Sequence, residues 1–172
     1  MADIYNALDE VISRLPDLLD DVDGWEQAFS FGKPHRCTRF VRGPIYLHHF
    51  DRVPDNVVWH PHSWPMAAQI FKGSYEMSLG HGTKEDQSDL AEVCRYTVRE
   101  GERYKMESPF GWHKIDLVED EVWSLMVTGR RWLSFPMDYD KLGYSQMLEE
   151  THLSRGEKGE FLIKFKEVAC AS

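Results

Sequence analysis

From about residue 38 onwards, the chain is divided into short runs of apolar and β-branched residues, separated by turns that contain Gly or Pro. Runs this short that alternate in polarity are typical of strands. Many short strands with regular turns predict an all-β barrel or sandwich. The predicted strands are 39–41, 45–50, 57–62, 67–71, 74–79, 93–98, 103–107, 112–117 and 122–128.

The two ends of the chain differ from this middle part. Residues 3–14 and, after Pro16, residues 17–29 carry apolar side chains at helical spacing, which predicts one or two helices packed outside the barrel. Near the C-terminus we expect a short helix around residues 142–150 and a last strand over 161–168. The expected organisation is one domain spanning 1–172, made of a helical segment 1–30, a β-barrel 38–135 and a C-terminal extension 136–172.

Composition limits the class of protein. With 172 residues, 42% hydrophobic and 13% aromatic, the chain can bury a substantial core. Three cysteines without a C-x-x-C pair argue against a disulfide framework and favour a reducing compartment. No long apolar run and no signal-peptide pattern occur, so we expect a cytoplasmic protein without a membrane anchor. The net charge of −9 argues against binding to a nucleic-acid backbone.

Three histidines stand where two strands can present them together. His60 and His62 are two residues apart, and alternate residues of a strand share one face. His113 follows the turn Pro109-Phe110-Gly111 and begins another predicted strand. Neutral His is the commonest metal ligand in proteins. The sequence therefore predicts a metal held by three imidazoles.

These residues resemble the two motifs of the cupin superfamily of small β-barrels. The first cupin motif carries His-x-His and a later Gly, matched by His60, His62 and Gly73. The second carries Pro-x-Gly and a His, matched by Pro109, Gly111 and His113. The resemblance covers roughly residues 40–135 and implies a double-stranded β-helix, or jelly-roll barrel.

The chain departs from the cupin pattern in two ways. Where the first motif usually has a Glu, the chain has Met66 and Ala67, so the resemblance implies a three-His site without a carboxylate. The gap from Gly73 to Ser108 is long. Both features resemble the thiol dioxygenases, although Ala67 and Ala68 occupy the region of their cross-linked Cys. The segments 60–64 and 128–132 resemble a group of uncharacterised bacterial and phage cupins. This second resemblance does not identify a reaction.

Other polar residues are candidates for contact with a substrate. Gln69, shortly after the His pair, is the one that we expect to orient a substrate or support the metal site. Each candidate arginine is expected to be a solvated charge, and the alternative is that one of them reaches the barrel mouth to hold an anionic substrate, because a guanidinium matches a carboxylate with two hydrogen bonds. Of His48 and His49, at most one can face inward, and a core or interface role is expected for it. Trp64 and Trp123 are candidates for an apolar pocket wall. The candidate arginines are Arg36, Arg39, Arg42, Arg130 and Arg131.

Together these features predict a metal-dependent cupin. The first expectation is a non-haem Fe(II) dioxygenase that acts on a small anionic molecule, with Zn(II), Mn(II) or Ni(II) as alternative metals. Three neutral imidazoles suit Fe(II) with O₂, and they also suit Zn(II) with a bound water. A metal-dependent isomerase or lyase and a non-catalytic small-molecule-binding cupin therefore remain alternatives. We also expect a homodimer, because such barrels expose sheet edges.

Overall fold

The structure is a computed structural model, and it describes residues 3–31, 37–51, 59–84, 87–133 and 150–170. Within these ranges, three α-helices and a short 3₁₀ helix at Val22–Gly24 accompany eleven strands. The helices are α1 (Ile4–Ser13), α2 (Leu15–Asp20) and α3 (Arg155–Ala169). The strands are β1 (Gln27–Phe31), β2 (Cys37–Arg42), β3 (Ile45–Asp51), β4 (His60–Pro61), β5 (Met66–Lys72), β6 (Tyr75–His81), β7 (Ala91–Val98), β8 (Arg103–Met106), β9 (Gly111–Leu117), β10 (Glu121–Thr128) and β11 (Glu150–His152).

The strands form two antiparallel sheets with jelly-roll connections. The larger sheet has the order β11-β1-β2-β3-β10-β5-β8, and the smaller has the order β4-β9-β6-β7. If β3 to β10 are counted as first to eighth, the larger sheet contains the order first-eighth-third-sixth. The smaller sheet has the order second-seventh-fourth-fifth. This is the strand order of an eight-stranded jelly roll, so the predicted all-β barrel with N-terminal helices is confirmed.

The larger sheet separates two apolar clusters. On its outer face, Phe40, Leu47 and Leu125 pack beneath the helices, which contribute residues such as Leu8 and Phe165. On its inner face, side chains from β5, β8 and β10 meet those of β6 and β7 from the smaller sheet. Because strand side chains alternate, each of the central strands contributes to both clusters. The inner cluster forms the wall of the barrel interior.

The predicted second helix, 17–29, is wrong in its extent. Helix α2 ends at Asp20, and Gln27–Phe31 is strand β1, which pairs with β2. The Asp21 carboxylate accepts a hydrogen bond from the backbone N–H of Gly24 at 3.1 Å, which turns the chain away from the helix axis. The helical spacing of the apolar residues is therefore overridden by strand pairing, because β1 pairs with β2 on one side and with the distant β11 on the other.

The predicted last strand, 161–168, is also wrong, because this segment lies within α3. Ser154 and Glu157 form a capping box, in which the Ser154 backbone N–H donates to the Glu157 carboxylate at 2.8 Å. The helix buries Phe161, Leu162 and Phe165, whereas Ile163 stays 63% exposed. That spacing is helical rather than alternating.

Some predicted features cannot be compared with the structure. Residues 142–149 of the expected C-terminal helix lie outside the described residues, while Glu150 begins β11. The start of the predicted strand 57–62 is outside them too, and β4 is described from His60 to Pro61. Among the described residues, no helix combines the length and the apolar character needed to cross a bilayer.

Candidate metal centre

His60, His62 and His113 meet inside the barrel, on the smaller sheet. His60 lies directly opposite His113 across the antiparallel pair β4–β9, so their side chains leave the sheet on the same face. His62 follows two residues later, just after β4 ends. The three ligand nitrogens lie within 4.8 Å of one another. The pairing of β4 with β9 thus brings together the three histidines that the two sequence motifs predicted as a metal site.

The three rings point the same nitrogen at a common centre. The Nε2 atom of His113 lies 2.8 Å from Nε2 of His60 and 2.9 Å from Nε2 of His62. One imidazole nitrogen has a single in-plane position for a proton or a lone pair, so His113 cannot pair with both neighbours through hydrogen bonds. A cation among the three nitrogens satisfies all of them. The donor set therefore fits a divalent metal.

Burial keeps the imidazoles of His62 and His113 neutral. It lowers the pKa of His113 well below its ordinary value, and the neighbouring His60 and His62 add to the effect. The pKa of His62 is lowered in the same way, first by burial, then by His60 and Arg39. Neutral imidazole is the form that binds metal. The site is thus poised to accept a cation at neutral pH.

Met77 fixes the orientation of His113. The Nδ1 atom of His113 lies 3.2 Å from the Sδ atom of Met77 on β6. If Nδ1 carries the proton and donates it to sulfur, Nε2 keeps its lone pair for the metal. A partner on the far nitrogen commonly sets the tautomer and the ring orientation of a ligating His. No sequence motif marked Met77, although its alternation with Tyr75 on β6 places it inside.

An aromatic wall leads to the histidines. Tyr46, His48 and Phe50 alternate along β3, and their rings stack with centroids 6.2 and 5.6 Å apart. Trp64 stacks on Tyr46 at 6.3 Å and lies 6.0 Å from the ring of His62. The expectation that Trp64 lines the pocket agrees with this position. Trp123 instead lies on the outer face, in the helix-covered cluster.

His48 faces inward and His49 faces outward. His48 is 7% exposed, and burial is the main cause that lowers its pKa well below the ordinary value. It does not belong to the group of three ligating residues. His49 Nε2 lies 3.3 Å from the Glu121 carboxylate on the outer face. The expectation of one inward core histidine agrees with this arrangement.

Gln69 lies away from the histidines, contrary to the role predicted for it. Its strand neighbours Ala68 and Ile70 belong to the inner cluster, so Gln69 is on the outer face. Its side-chain oxygen accepts a hydrogen bond from Nε of Arg103 at 2.6 Å, and Arg103 also binds Asp9 of α1. Gln69 therefore joins the sheet to a helix. The alternation of Ala68, Gln69 and Ile70 was the signal that sequence reasoning missed.

The candidate arginines fall in different places. Arg39 is partly buried on the strand next to β3, in register with His48. Arg42 forms an ion pair of 2.8 Å with Asp21 on the outer side. Arg130 and Arg131 are exposed, and Arg131 donates to the hydroxyl of Ser63 at 3.2 Å. Arg36 is outside the described residues.

The strand order and the three converging histidines together decide the fold family. This protein has a cupin fold. The resemblance inferred from His60, His62, Gly73, Pro109, Gly111 and His113 is confirmed at this level.

Comparisons with known proteins give likenesses in structure alone. No protein-family model and no curated protein matches the chain. The Drosophila melanogaster CENP-C cupin bound to CAL1 has 14% identity and a TM-score of 0.45, over 72% of this chain and 99% of that one. Hydroxypropylphosphonic acid epoxidase from S. wedmorenis has 13% identity and a TM-score of 0.42, over 60% and 56%. KdgF from Halomonas sp. has 16% identity and a TM-score of 0.41, over 58% and 84%.

Proposed function

We propose that this protein is a non-haem Fe(II) dioxygenase that acts on a small anionic molecule. The observation that carries the proposal is the convergence of three Nε2 atoms inside the barrel, with His113 Nε2 within 2.9 Å of both others. Three protein ligands on one side of a metal leave coordination positions for a substrate and O₂. His60, His62 and His113 would hold Fe(II), which would supply the redox chemistry with O₂.

The chain itself contributes orientation and exclusion of water. Met77 holds the ring of His113, and pairing with β9 holds His60. The inner cluster around the site is built from apolar side chains, among them Met66, Ile70 and Met106. An apolar interior strengthens the attraction between a bound cation and an anionic substrate. These features favour an anionic molecule that enters beside the histidines.

A metal-dependent isomerase or lyase is the second candidate. The described donor set contains imidazoles and no carboxylate. Such a set also suits Zn(II), which acts as a Lewis acid and lowers the pKa of a bound water. A barrel that binds a small molecule without turnover is the third candidate, because a fold alone does not fix a function.

The test is metal analysis followed by oxygen uptake. The protein is loaded anaerobically with Fe(II), and O₂ consumption is recorded with a panel of small carboxylic acids and thiols. We expect one Fe(II) per chain and substrate-dependent O₂ uptake. Turnover under strict anaerobiosis, or full activity with Zn(II), would establish the isomerase or lyase instead. Ligand-induced thermal stabilisation without turnover would favour the binding protein.

We also propose that the protein is a homodimer. Strand β7 ends the four-stranded sheet, and the residues from Ala91 to Tyr96 are exposed, including Val93 at 69%. Edge strands of this kind are surfaces for pairing with another chain. Sedimentation at micromolar concentration is expected to give twice the chain mass, and a monomer would contradict the proposal.

A further inference from the structure

Trp64 carries a buried hydrogen-bond donor that the fold does not pair. Its indole Nε1 is buried and has no hydrogen-bond acceptor within the described part of the chain. An indole N–H can only donate, and a buried donor without an acceptor costs free energy. A ligand or an ordered water is the usual partner of such a group. A ligand oxygen in contact with Trp64 would supply the acceptor.

The ring of Trp64 lies beside a residue of the metal centre. Its centroid is 6.0 Å from that of His62, and the two planes are tilted by 46°. It also stacks on Tyr46 at 6.3 Å with an angle of 14° between the planes, and it packs against the inner cluster. Trp132 has a similar unpaired indole N–H. Among the described residues, Trp64 alone combines such a donor with a ring contact to one of the three histidines.

The backbone on each side of Trp64 is held by the segment that follows β10. The carbonyl of Ser63 accepts the backbone N–H of Trp132 at 2.9 Å, and the carbonyl of Pro65 accepts that of Gly129 at 2.7 Å. A donor held in this way loses little conformational entropy when a ligand binds. Trp64 is therefore preorganised to bind an oxygen atom.

The surface next to this donor is aromatic. Tyr46, Phe50 and Trp64 pack against the inner cluster, yet each of these side chains is only partly buried. Between Tyr46 and Phe50 on β3 lies His48, whose pKa is lowered well below its ordinary value, mainly by burial, so its ring is neutral at pH 7. Partly exposed aromatic rings inside a barrel offer an apolar surface to a ligand. The part of a ligand that faces β3 is therefore apolar.

A carboxylate matches a metal and an N–H donor at the same time. It has two oxygens on one carbon, so one oxygen can bind a metal while the other accepts a hydrogen bond. The ligand set of three histidines contains no carboxylate, so a divalent cation bound there keeps a positive charge that an anionic ligand balances. A hydrogen bond to an ionised oxygen is also stronger than one to a neutral oxygen.

We propose that Trp64 determines substrate specificity by donating its indole N–H to one oxygen of a substrate carboxylate, whose other oxygen binds the metal held by the three histidines. The inference rests on the proposed metal function and names its substrate class, a small monocarboxylic acid with an apolar body. That body lies against the rings of Tyr46 and Phe50. Trp64 binds and orients the substrate, and no covalent bond to it forms or breaks.

The experiment follows the indole N–H signals of the full chain by proton–nitrogen NMR. The chain has six tryptophans, and Trp64→Phe removes the Trp64 signal but keeps an aromatic ring. Benzoate is titrated into the metal-free and the Zn(II)-loaded protein, and calorimetry gives the affinities. Benzamide is the uncharged control, and acetate is the control without an apolar body.

Trp123→Phe is the matched control variant. Trp123 lies in the outer cluster, and its Nε1 donates to the Glu121 carboxylate at 3.3 Å. The same substitution is thus made where no ligand is expected. The other indole signals report whether each variant is folded. Sequential assignment of the native chain identifies the Trp64 signal independently, so its shift can be read even if Trp64→Phe does not fold.

In the Zn(II)-loaded protein, we expect benzoate to shift the Trp64 signal and benzamide to leave it unchanged. Benzoate should bind about tenfold more tightly than acetate, and about tenfold more tightly to the native chain than to Trp64→Phe. Trp123→Phe should bind benzoate as the native chain does. The metal-free protein should bind benzoate more weakly, because one carboxylate oxygen then has no metal to bind.

An unmoved Trp64 signal, or equal benzoate affinity in Trp64→Phe, would overturn the inference and leave the metal function standing if Zn(II) binds. Equal affinity for benzoate and acetate would reject the apolar body, and equal affinity with and without Zn(II) would reject the bridging carboxylate. If Zn(II) does not bind, the metal function and the inference fail together. A shifted Trp64 signal without O₂ uptake by the Fe(II)-loaded protein would reject the dioxygenase and support the role of Trp64.

Discussion

The two faces of the seven-stranded sheet use the same strands for different purposes. The outer face contributes to an apolar cluster under helices α1, α2 and α3, in which Leu8, Leu47 and Phe165 are fully buried. The inner face carries aromatic rings, Arg39 and His48, opposite the three histidines of the smaller sheet. The outer cluster contains more buried apolar side chains than the inner one, so we expect it to supply more of the stability. The inner layer is then free to hold polar groups that serve a ligand.

The largest expected effect comes from truncating the outer cluster. Phe165 is fully buried and contacts Phe71, Trp123 and Phe161. Phe165→Ala should lower the free energy of unfolding by about 3–5 kcal/mol, measured by urea denaturation, because it leaves a cavity. Ile163→Ala, at a site 63% exposed, should change it by less than about 0.5 kcal/mol. A similar loss in both variants would mean that α3 does not cover the sheet as described.

Removing a ligating histidine should abolish metal binding with little harm to the fold. For the intact protein, metal at a hundred times its dissociation constant should add about 2.7 kcal/mol of stability. His113→Ala should lose this gain and the stoichiometric binding, as should His60→Ala and His62→Ala. His152→Ala, on β11, is the control and should bind normally. Metal analysis together with thermal unfolding measures both quantities, and metal retained in all three variants would refute the site.

Acid should weaken the outer face through Glu121. Hydrogen bonds from Lys72, Trp123 and His49 lower the pKa of Glu121 from its ordinary 4.5 to about 2, although burial opposes them. Because the folded pKa is below the unfolded one, the stabilisation is present above pH 4.5 and is lost as the pH falls towards 2.

The Glu121 contribution is isolated by substitution. Urea unfolding of Glu121→Gln between pH 6 and 3 should show a shallower fall in stability than the native chain. We expect a difference of about 1 kcal/mol or less, since the carboxylate is partly exposed. Glu160→Gln, at an exposed position of α3, should reproduce the native profile. If stability depends on pH identically in the native chain and in Glu121→Gln, the ion pair between Lys72 and Glu121 does not stabilise the fold.

The smallest effect is expected at Gln69. Because its side chain binds Arg103 on the outer face, Gln69→Ala should leave metal affinity and turnover within about twofold of the native values. Stability should fall by about 1 kcal/mol or less, since one hydrogen bond is lost. Steady-state kinetics and metal titration provide the measurement. A large loss of turnover would support the substrate-orienting role that the sequence predicted for Gln69. It would also contradict the assignment of ligand binding to the inner face alone.

The barrel and its three histidines could be predicted because each depends on local patterns. Alternation and turn residues marked β3 to β10, and the spacing of His60 and His62 placed both rings on one face. The errors arose where distant partners decide the structure. Residues 27–31 form a strand because they pair with β2 and also with β11, which lies more than 100 residues further along the chain. The capping pair Ser154 and Glu157 was readable in the sequence and would have identified α3.

The site residues were harder to assign than the fold. Gln69 is close to His62 in sequence, but the alternation of side chains along β5 directs it to the outer face. Arg39 was one of five arginines with no local feature to distinguish it, and only its register with His48 places it inside. The indole N–H of Trp64 is buried without a hydrogen-bond acceptor, and the ring stacks on Tyr46. No sequence pattern predicts this packing.

Strand β4 has only two residues, and its partner in the smaller sheet is β9. His60 and His113 are 53 positions apart along the chain. Bringing such distant segments together carries a large loop-closure entropy, so contacts of this kind form late during folding. The ligand set therefore comes into existence when the jelly roll closes. During refolding, the time course of metal binding would therefore report the closure of the barrel. During synthesis, a nascent chain would bind a metal at this site only after β9 has been synthesised.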